Sequence, residues 1–377
     1  MKPFNRSYVC AAKLLSPVWW VLAKMRPNSK SWLEGPPKKI LVFDFHLIGD
    51  IVLLIPLLES LRNGYPKSKI TLVAGPWAAD ILRGNDAIDN LEFFLAPWVK
   101  PTSFIGNLLR CFELVRKLSV TQWDLGIEVR GDIRQILLMW MIGPRRRIGY
   151  NFTGGSYLLT DVIEDNGGLS HLADHNKRIA EHLAVWPSDK KYQPIIRLTH
   201  EERVFTEEFP SYIGFHFGAS LPLRAFPEKE IKNLLMQFTE SRLPLVVFIP
   251  PDDNGMVELA IKELPNFERI SILSCDLRSL VLRLSRARHF FCMDSGPAHI
   301  AAALNIPSTI FFGPAEFNYV HPIGTNTQII SKQNVSCRPC DQVTCKNAAY
   351  QFCMIGLAEI FESEGHDPRR KIDFMIN

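Results

Sequence analysis

Residues 294–299 read Asp-Ser-Gly-Pro-Ala-His, directly after the apolar run Phe290-Phe291-Cys292-Met293. A run of that length suits a buried strand, and it ends on a carboxylate. Ser295 can cap a following helix, Pro297 suits its first turn, and Gly296 lets the backbone approach a ligand. A strand–turn–helix of this kind turns unpaired N–H groups and a positive dipole end toward an anion such as a phosphate. The same residues also describe an ordinary capped helix in an α/β domain.

A second turn pairs glycine with a carboxylate. Lys39-Ile40-Leu41-Val42-Phe43-Asp44-Phe45 is a strand pattern, followed by His46-Leu47-Ile48-Gly49-Asp50. Another strand pattern starts at Ile70, about thirty residues on, the span of one βαβ unit. Open α/β sheets bind ligands at the carboxyl ends of their strands. Two such turns in opposite halves of the chain predict a cleft between two domains. A third turn, Phe217-Gly218-Ala219-Ser220, is followed by Arg224. Its N–H groups, the Ser220 hydroxyl and the Arg224 guanidinium suit a diphosphate.

The chain resembles glycosyltransferase family 9, the ADP-heptose:lipopolysaccharide heptosyltransferases. The resemblance runs from about residue 38 to about residue 361. It rests on Ile48-Gly49-Asp50 with Pro56-Leu57-Leu58, on Asp294-Ser295-Gly296-Pro297-Ala298-His299, and on Phe312-Gly313-Pro314. Cys337-Arg338-Pro339-Cys340 and Cys353-Met354 add to it. It implies a GT-B fold, with two Rossmann-like domains facing a central cleft. It also implies an inverting transfer of heptose from a nucleotide donor, such as ADP-heptose, to a lipopolysaccharide-core acceptor, with no cofactor for catalysis. By this resemblance Asp50 is the base that deprotonates the acceptor hydroxyl, although an aspartate there also suits a helix cap. Gly49, Ser220, Arg224, Asp294, Ser295, Gly296 and His299 are expected on the donor side. Glu258 is the favoured carboxylate for the donor ribose, with Asp252 and Asp253 as competitors. The family has lysine and tryptophan where this chain has Arg224 and Phe226. A nucleotide-sugar epimerase on the same fold, and a binding protein without turnover, are the alternative readings.

These residues need strands to carry them. In the second half strands are predicted at 213–217, 245–249, 270–273, 290–293 and 308–312, with helices at 228–238, 256–264, 277–285 and 297–304. Strict alternation means a parallel sheet covered on both faces. In the first half an apolar segment at 123–129 precedes a helix near 135–141, and another helix spans 171–185. Pro56 suggests that the helix after Asp50 becomes regular only there. Arg145-Arg146-Arg147 reads as a solvated loop, or as a contact for an anionic acceptor. The domains are placed at 36–190 for the acceptor and 191–377 for the donor, after an extension over 1–35, and 188–211 reads as linker.

With 377 residues, 47% of them hydrophobic, the chain has enough material for two cores. A formal net charge of +4 is small for this length and gives no reason to expect a nucleic-acid partner. No run has the length and purity of a transmembrane helix. Residues 1–33 carry Lys2, Arg6, Lys13, Lys24, Arg26 and Lys30, no acid, and the pair Trp19-Trp20. This pattern predicts an interfacial segment on an anionic membrane, which the resemblance puts on the cytoplasmic face of the inner membrane. A helix packed on the protein's own surface is the other reading. Cys337, Cys340, Cys345 and Cys353 could bind a structural zinc ion, or stand as free thiols.

Overall fold

Ile40, Leu41, Val42 and Phe43 follow one another without a polar break, and all are fully buried. A strand so covered on both faces belongs in the middle of a parallel sheet. The computed structural model describes residues 6–25, 35–164, 170–251, 255–340 and 342–363. The chain divides into two compact units, Lys2–Tyr192 and Gln193–Asn377.

The first unit runs α1 (Arg6–Leu14), α2 (Ser16–Met25), β1 (Lys39–Asp44), α3 (Ile48–Gly64), β2 (Lys69–Ala74), α4 (Ala78–Leu82), β3 (Asn90–Phe93), α5 (Phe104–Ser119), β4 (Leu125–Glu128), α6 (Ile133–Ile142), β5 (Arg146–Tyr150), β6 (Asp161–Ile163) and α7 (Leu172–His182). The second runs α8 (His200–Glu207), β7 (Tyr212–His216), α9 (Glu228–Met236), β8 (Leu245–Ile249), α10 (Met256–Lys262), β9 (Ile270–Ser274), α11 (Leu277–Leu284), β10 (Ala287–Met293), α12 (Gly296–Ala303), β11 (Ser308–Phe311), α13 (Phe317–Val320), β12 (Thr327–Ile330) and α14 (Leu357–Ser363).

Both sheets have the same topology. The first is ordered β3-β2-β1-β4-β5-β6; the second, read from its other edge, is β9-β8-β7-β10-β11-β12. All pairings are parallel. This is the doubly wound Rossmann order, in which the strand sequence reverses between the first and fourth strands. The reversal falls between β1 and β4 in one unit and between β7 and β10 in the other. Ligands bind such sheets at that reversal, outside the strands' carboxyl ends.

The expected strands of the second half are all present, with ends shifted by a few residues at most. Other expectations need correction. Pro56 lies inside α3, which is helical from Ile48 onward. Burial of Ile51–Leu58 against the sheet outweighs the one backbone hydrogen bond that proline removes. Only Arg145 of the arginine run precedes β5. Arg147 is buried and donates to the carbonyls of Leu158 and Pro144, and Arg146 pairs with Asp161 at 2.8 Å. Both guanidiniums are thus bonded within the first unit, and the run is not the solvated loop that was expected. The polar stretch 188–211 contains α8, started by a reciprocal cap between Thr199 and Glu202.

Helices α1 and α2 belong to the first unit. Ala12 is buried in a cluster with Leu41, Phe43, Phe45, Leu114, Leu118 and Ile136, and Trp19, Leu22 and Ala23 pack against it. Trp19 Nε1 donates to the Ala12 carbonyl at 3.0 Å. The inner side of this segment is therefore packed on the protein's own surface. Among the described residues no helix is long and apolar enough to cross a membrane.

Candidate active site

In the first unit the switch point is built from the segments that follow β1 and β4. Asp50 was expected at a strand end; it stands instead in the first turn of α3. Its Oδ2 accepts the Leu47 N–H at 3.1 Å, so the helix-cap reading of this residue is also met. Its Oδ1 accepts from Arg130 Nη1 at 2.7 Å. Asp50 is 17% exposed and Arg130 8%. Each carboxylate oxygen is used once here and keeps acceptor capacity for a substrate hydroxyl. Gly49 lies in the same turn.

Arg130 was not singled out from the sequence, and neither was the residue that aims it. Glu128, fully buried at the end of β4, accepts the N–H of Arg130 through Oε1 at 3.0 Å and that of Gly131 through Oε2 at 2.7 Å. Burial, and then the neighbouring Asp132, push the Glu128 carboxyl up to about 8, against the backbone hydrogen bonds. Gly131 has φ +67°, and a Cβ there would lie 2.6 Å from the Phe152 ring. Glu128 and Gly131 thus fix the loop that carries Arg130. Across the switch point, buried Asp44 accepts the backbone N–H of His46 at 3.1 Å and lies 3.2 Å from its Nδ1.

The second unit repeats the arrangement with the partners exchanged. Arg224 follows β7, and its Nη1 lies 3.3 Å from Oδ2 of Asp294, which follows β10. Asp294 is 3% exposed; burial raises its carboxyl pKa and Arg224 opposes the rise. The Arg224 Nε donates to Gln342, and Gln351 Nε2 donates to the carbonyls of Pro222 at 3.1 Å and Ala225 at 3.3 Å. The cysteine-bearing segment therefore braces the arginine turn, a link with no signal in the sequence. His216 ends β7, and burial pushes its imidazole down to about 4, which leaves a neutral ring at this switch point.

Ser295 holds the N-cap position of α12, but its hydroxyl donates to the Met293 carbonyl at 3.1 Å and does not cap the helix. Gly296 and Pro297 open the helix as expected, and His299 is buried one turn on. Ser220 is exposed in the turn between β7 and Arg224. These residues share the β7–β10 switch point with Asp294. Glu258 does not show the same convergence. It lies in the first turn of α10, about half exposed, and pairs with Lys262 at 2.9 Å. Asp252 and Asp253 lie outside the described residues.

The four clustered cysteines all line one cavity of about 350 Å³, with Leu223, Pro314 and Phe352 among its other walls. The zinc expectation is not met by this geometry. Among the described residues no three His, Cys, Asp or Glu side chains are placed to hold a metal ion. The sulfurs accept hydrogen bonds instead: Cys337 from Asn347, Cys340 from the Gln342 N–H, and Cys345 from the Gln351 N–H. Burial pushes the Cys353 thiol up to about 11.

Comparison with known proteins gives this geometry a family. The model of glycosyltransferase family 9 (heptosyltransferase) matches residues 111–351. Lipooligosaccharide heptosyltransferase 2 of Haemophilus ducreyi is 23% identical over 316 residues, covering 78% of this chain and 88% of that protein. Lipopolysaccharide heptosyltransferase 2 of Escherichia coli is 23% identical over 310 residues, covering 78% and 87%. Among solved structures, a family 9 glycosyltransferase from Veillonella parvula superposes with a TM-score of 0.71 at 19% identity, over 88% of this chain and 97% of that one. The E. coli ADP-heptose lipopolysaccharide heptosyltransferase II gives 0.67 at 19% identity, over 88% and 99%. The fold is GT-B. The chain is a glycosyltransferase and belongs to glycosyltransferase family 9, the heptosyltransferases.

Proposed function

We propose that this enzyme transfers heptose, with inversion, from ADP-heptose to the core of a lipopolysaccharide acceptor. Asp50 takes the proton of the acceptor hydroxyl as its oxygen attacks the anomeric carbon. The anomeric C–O bond breaks, and the diphosphate leaves with the bonding electrons. Arg224, the Ser220 turn and the head of α12 at Ser295 and Gly296 hold that diphosphate and take up its developing charge, with His299 one turn on. The proposal requires both switch points to meet one ternary complex. Glu258 or a neighbouring acid serves the ribose.

The observation that carries the reading is the ion pair at the switch point of each sheet. One presents a carboxylate, Asp50, and the other a guanidinium, Arg224, where Rossmann sheets bind ligands. The names of the relatives support the substrate: they are lipopolysaccharide and lipooligosaccharide heptosyltransferases, and one similar solved structure is an E. coli heptosyltransferase with ADP. A lipid-linked acceptor places the enzyme at the cytoplasmic face of the inner membrane, with residues 1–33 as its anchor on anionic lipid.

Incubation with ADP-heptose, with and without core lipid, tests the proposal. Acceptor-dependent release of ADP, with mass gain on the lipid, is expected. Conversion of the sugar nucleotide without acceptor would mean an epimerase. Saturable binding without either product would mean a binding protein.

A further inference from the structure

Helix α5 turns apolar side chains outward along its first half and inward along its second. Its inner residues Cys111, Leu114, Val115 and Leu118 pack into the first unit's core. Its outer residues Phe104, Ile105, Leu108, Leu109 and Phe112 are 54–82% exposed. They recur at helical spacing, so they form one outward stripe. A soluble helix of this length normally turns polar residues outward, and a contiguous exposed patch of large apolar side chains marks a contact surface.

The stripe does not stand alone. Helices α1 and α2 are anchored on the same hydrophobic cluster as α5, through Ala12, Trp19, Leu22 and Ala23. They too leave large apolar residues outside: Leu14, Leu15, Val18, Trp20 and Val21 are 47–80% exposed. The exposed charges on these helices are mostly basic. Lys13, Lys24 and Arg116 are exposed on the three helices, Lys117 is paired with Glu92 of β3, and Glu113 is their one exposed acid among the described residues. Lys24 Nζ lies 3.5 Å from the centre of the Trp20 ring, so the cation borders the apolar surface.

We propose that the outward face of α5, together with that of α1 and α2, inserts into the interfacial layer of an anionic phospholipid bilayer. A protein partner would need acids to meet this basic border. A bilayer supplies both halves of the match, since its acyl chains take Phe104, Leu108 and Phe112 and its phosphates take the lysines and arginines. The inference deepens the membrane part of the function proposed above. It adds a second contact, distant in sequence, to the N-terminal anchor, and it rests on that reading only for the choice of leaflet.

The test uses the full-length protein and vesicles of phosphatidylcholine with or without phosphatidylglycerol. Four proteins are compared by co-sedimentation: the unaltered chain, Leu108→Asp with Phe112→Asp, Val18→Asp with Val21→Asp, and all four changes together. Circular dichroism melts and donor-nucleotide binding confirm that each is folded. The unaltered chain is expected to sediment with the anionic vesicles. The α5 pair should lower its partition coefficient at least tenfold, and the four-fold variant should remain in the supernatant. If the α5 pair sediments like the unaltered chain, the inference is overturned while the N-terminal anchor stands. If the α5 pair loses binding and the α2 pair does not, the α5 contact stands, and the part of the inference that includes α2 is overturned together with the anchor. If light scattering without vesicles shows an oligomer that the α5 pair dissolves, and vesicle binding is unchanged, the stripe is a subunit interface and the inference is overturned.

Discussion

Arg130 Nη1 donates to Asp50 Oδ1 at 2.7 Å, and this bond joins the segment after β4 to the first turn of α3 across the switch point of the first sheet. The second sheet carries its counterpart, with Arg224 after β7 and Asp294 after β10. Acid and base have changed sides. In the first unit the acid follows the first strand, and in the second it follows the fourth. The two sites therefore share a topology and differ in chemistry.

Replacing Asp50 with Asn keeps the shape of the α3 turn and removes the proton acceptor of the proposed reaction. Transfer should fall by roughly 100- to 10,000-fold in kcat, the usual size of a general-base contribution. Affinity for the donor nucleotide should stay within a few-fold. Steady-state rates with core lipid, set beside calorimetric binding of ADP, check both halves. Unaltered turnover of a purified Asp50→Asn enzyme would remove Asp50 from the mechanism.

Arg130 acts by holding Asp50. In Arg130→Ala a largely buried carboxylate loses its charge partner, so stability should drop by about 3 kcal/mol and kcat should drop with it. Arg130→Lys should recover part of both, because an ammonium can reach one carboxylate oxygen without reproducing the planar guanidinium. Urea unfolding and rates on the three proteins decide the matter. Equal kcat in all three would reduce Arg130 to a structural residue.

Arg224→Ala should raise the dissociation constant for the donor diphosphate by about tenfold or more, the loss of a charge-assisted contact. It also leaves Asp294 buried without its opposite charge, a second cost that falls on stability. Arg224→Lys, the residue usual in the family, is the informative variant. If it binds donor as the parent does, the charge alone matters. If it does not, the Gln342 contact made through Nε is part of the site.

Glu128 gives the fold a pH dependence. Its carboxyl pKa of about 8 lies above the ordinary 4.5, so between those values the folded chain holds a proton that the unfolded chain has released. Stability should therefore fall as pH rises through that window, by at most about 1.4 kcal/mol per pH unit from this group, and level off above it. Glu128→Gln should flatten that slope, at a fixed cost for one lost hydrogen-bond acceptor. Urea unfolding at pH 5.5, 6.5, 7.5 and 8.5 reads the difference. Parallel slopes for parent and variant would assign the pH dependence to other groups.

Thiol titration checks the cysteine segment. Cys337, Cys340 and Cys345 are partly exposed and should react with a thiol reagent in the folded protein without a chelator. Buried Cys353, with its thiol pKa near 11, should react only on unfolding. Protection of all four, released by a chelator, would show a metal that this geometry does not.

Much of the scaffold was legible in the sequence because parallel strands buried on both faces must be apolar without interruption. That requirement exposed β1, β7, β8, β10 and β11, and with them Asp50, Ser220, Arg224 and the Asp294 turn, which lie in the segments that follow those strands. Helix α5 has no place among the expected elements although it keeps a helical period; its outward Phe104, Leu108 and Phe112 widen the apolar arc beyond the side that packs. Pro56 misplaced a helix start because tertiary burial, which a local rule does not include, decided the outcome. Arg130, Glu128, Gln342 and Gln351 depend on contacts between segments far apart in the chain. Arg130 meets Asp50 across 80 positions and Arg224 meets Gln342 across 118. The sequence by itself determined the central strands of both sheets and the polar residues in the segments that follow them. Only the tertiary structure decided which of those polar residues pair, because the order of strands in a sheet, not their order in the chain, sets which loops meet.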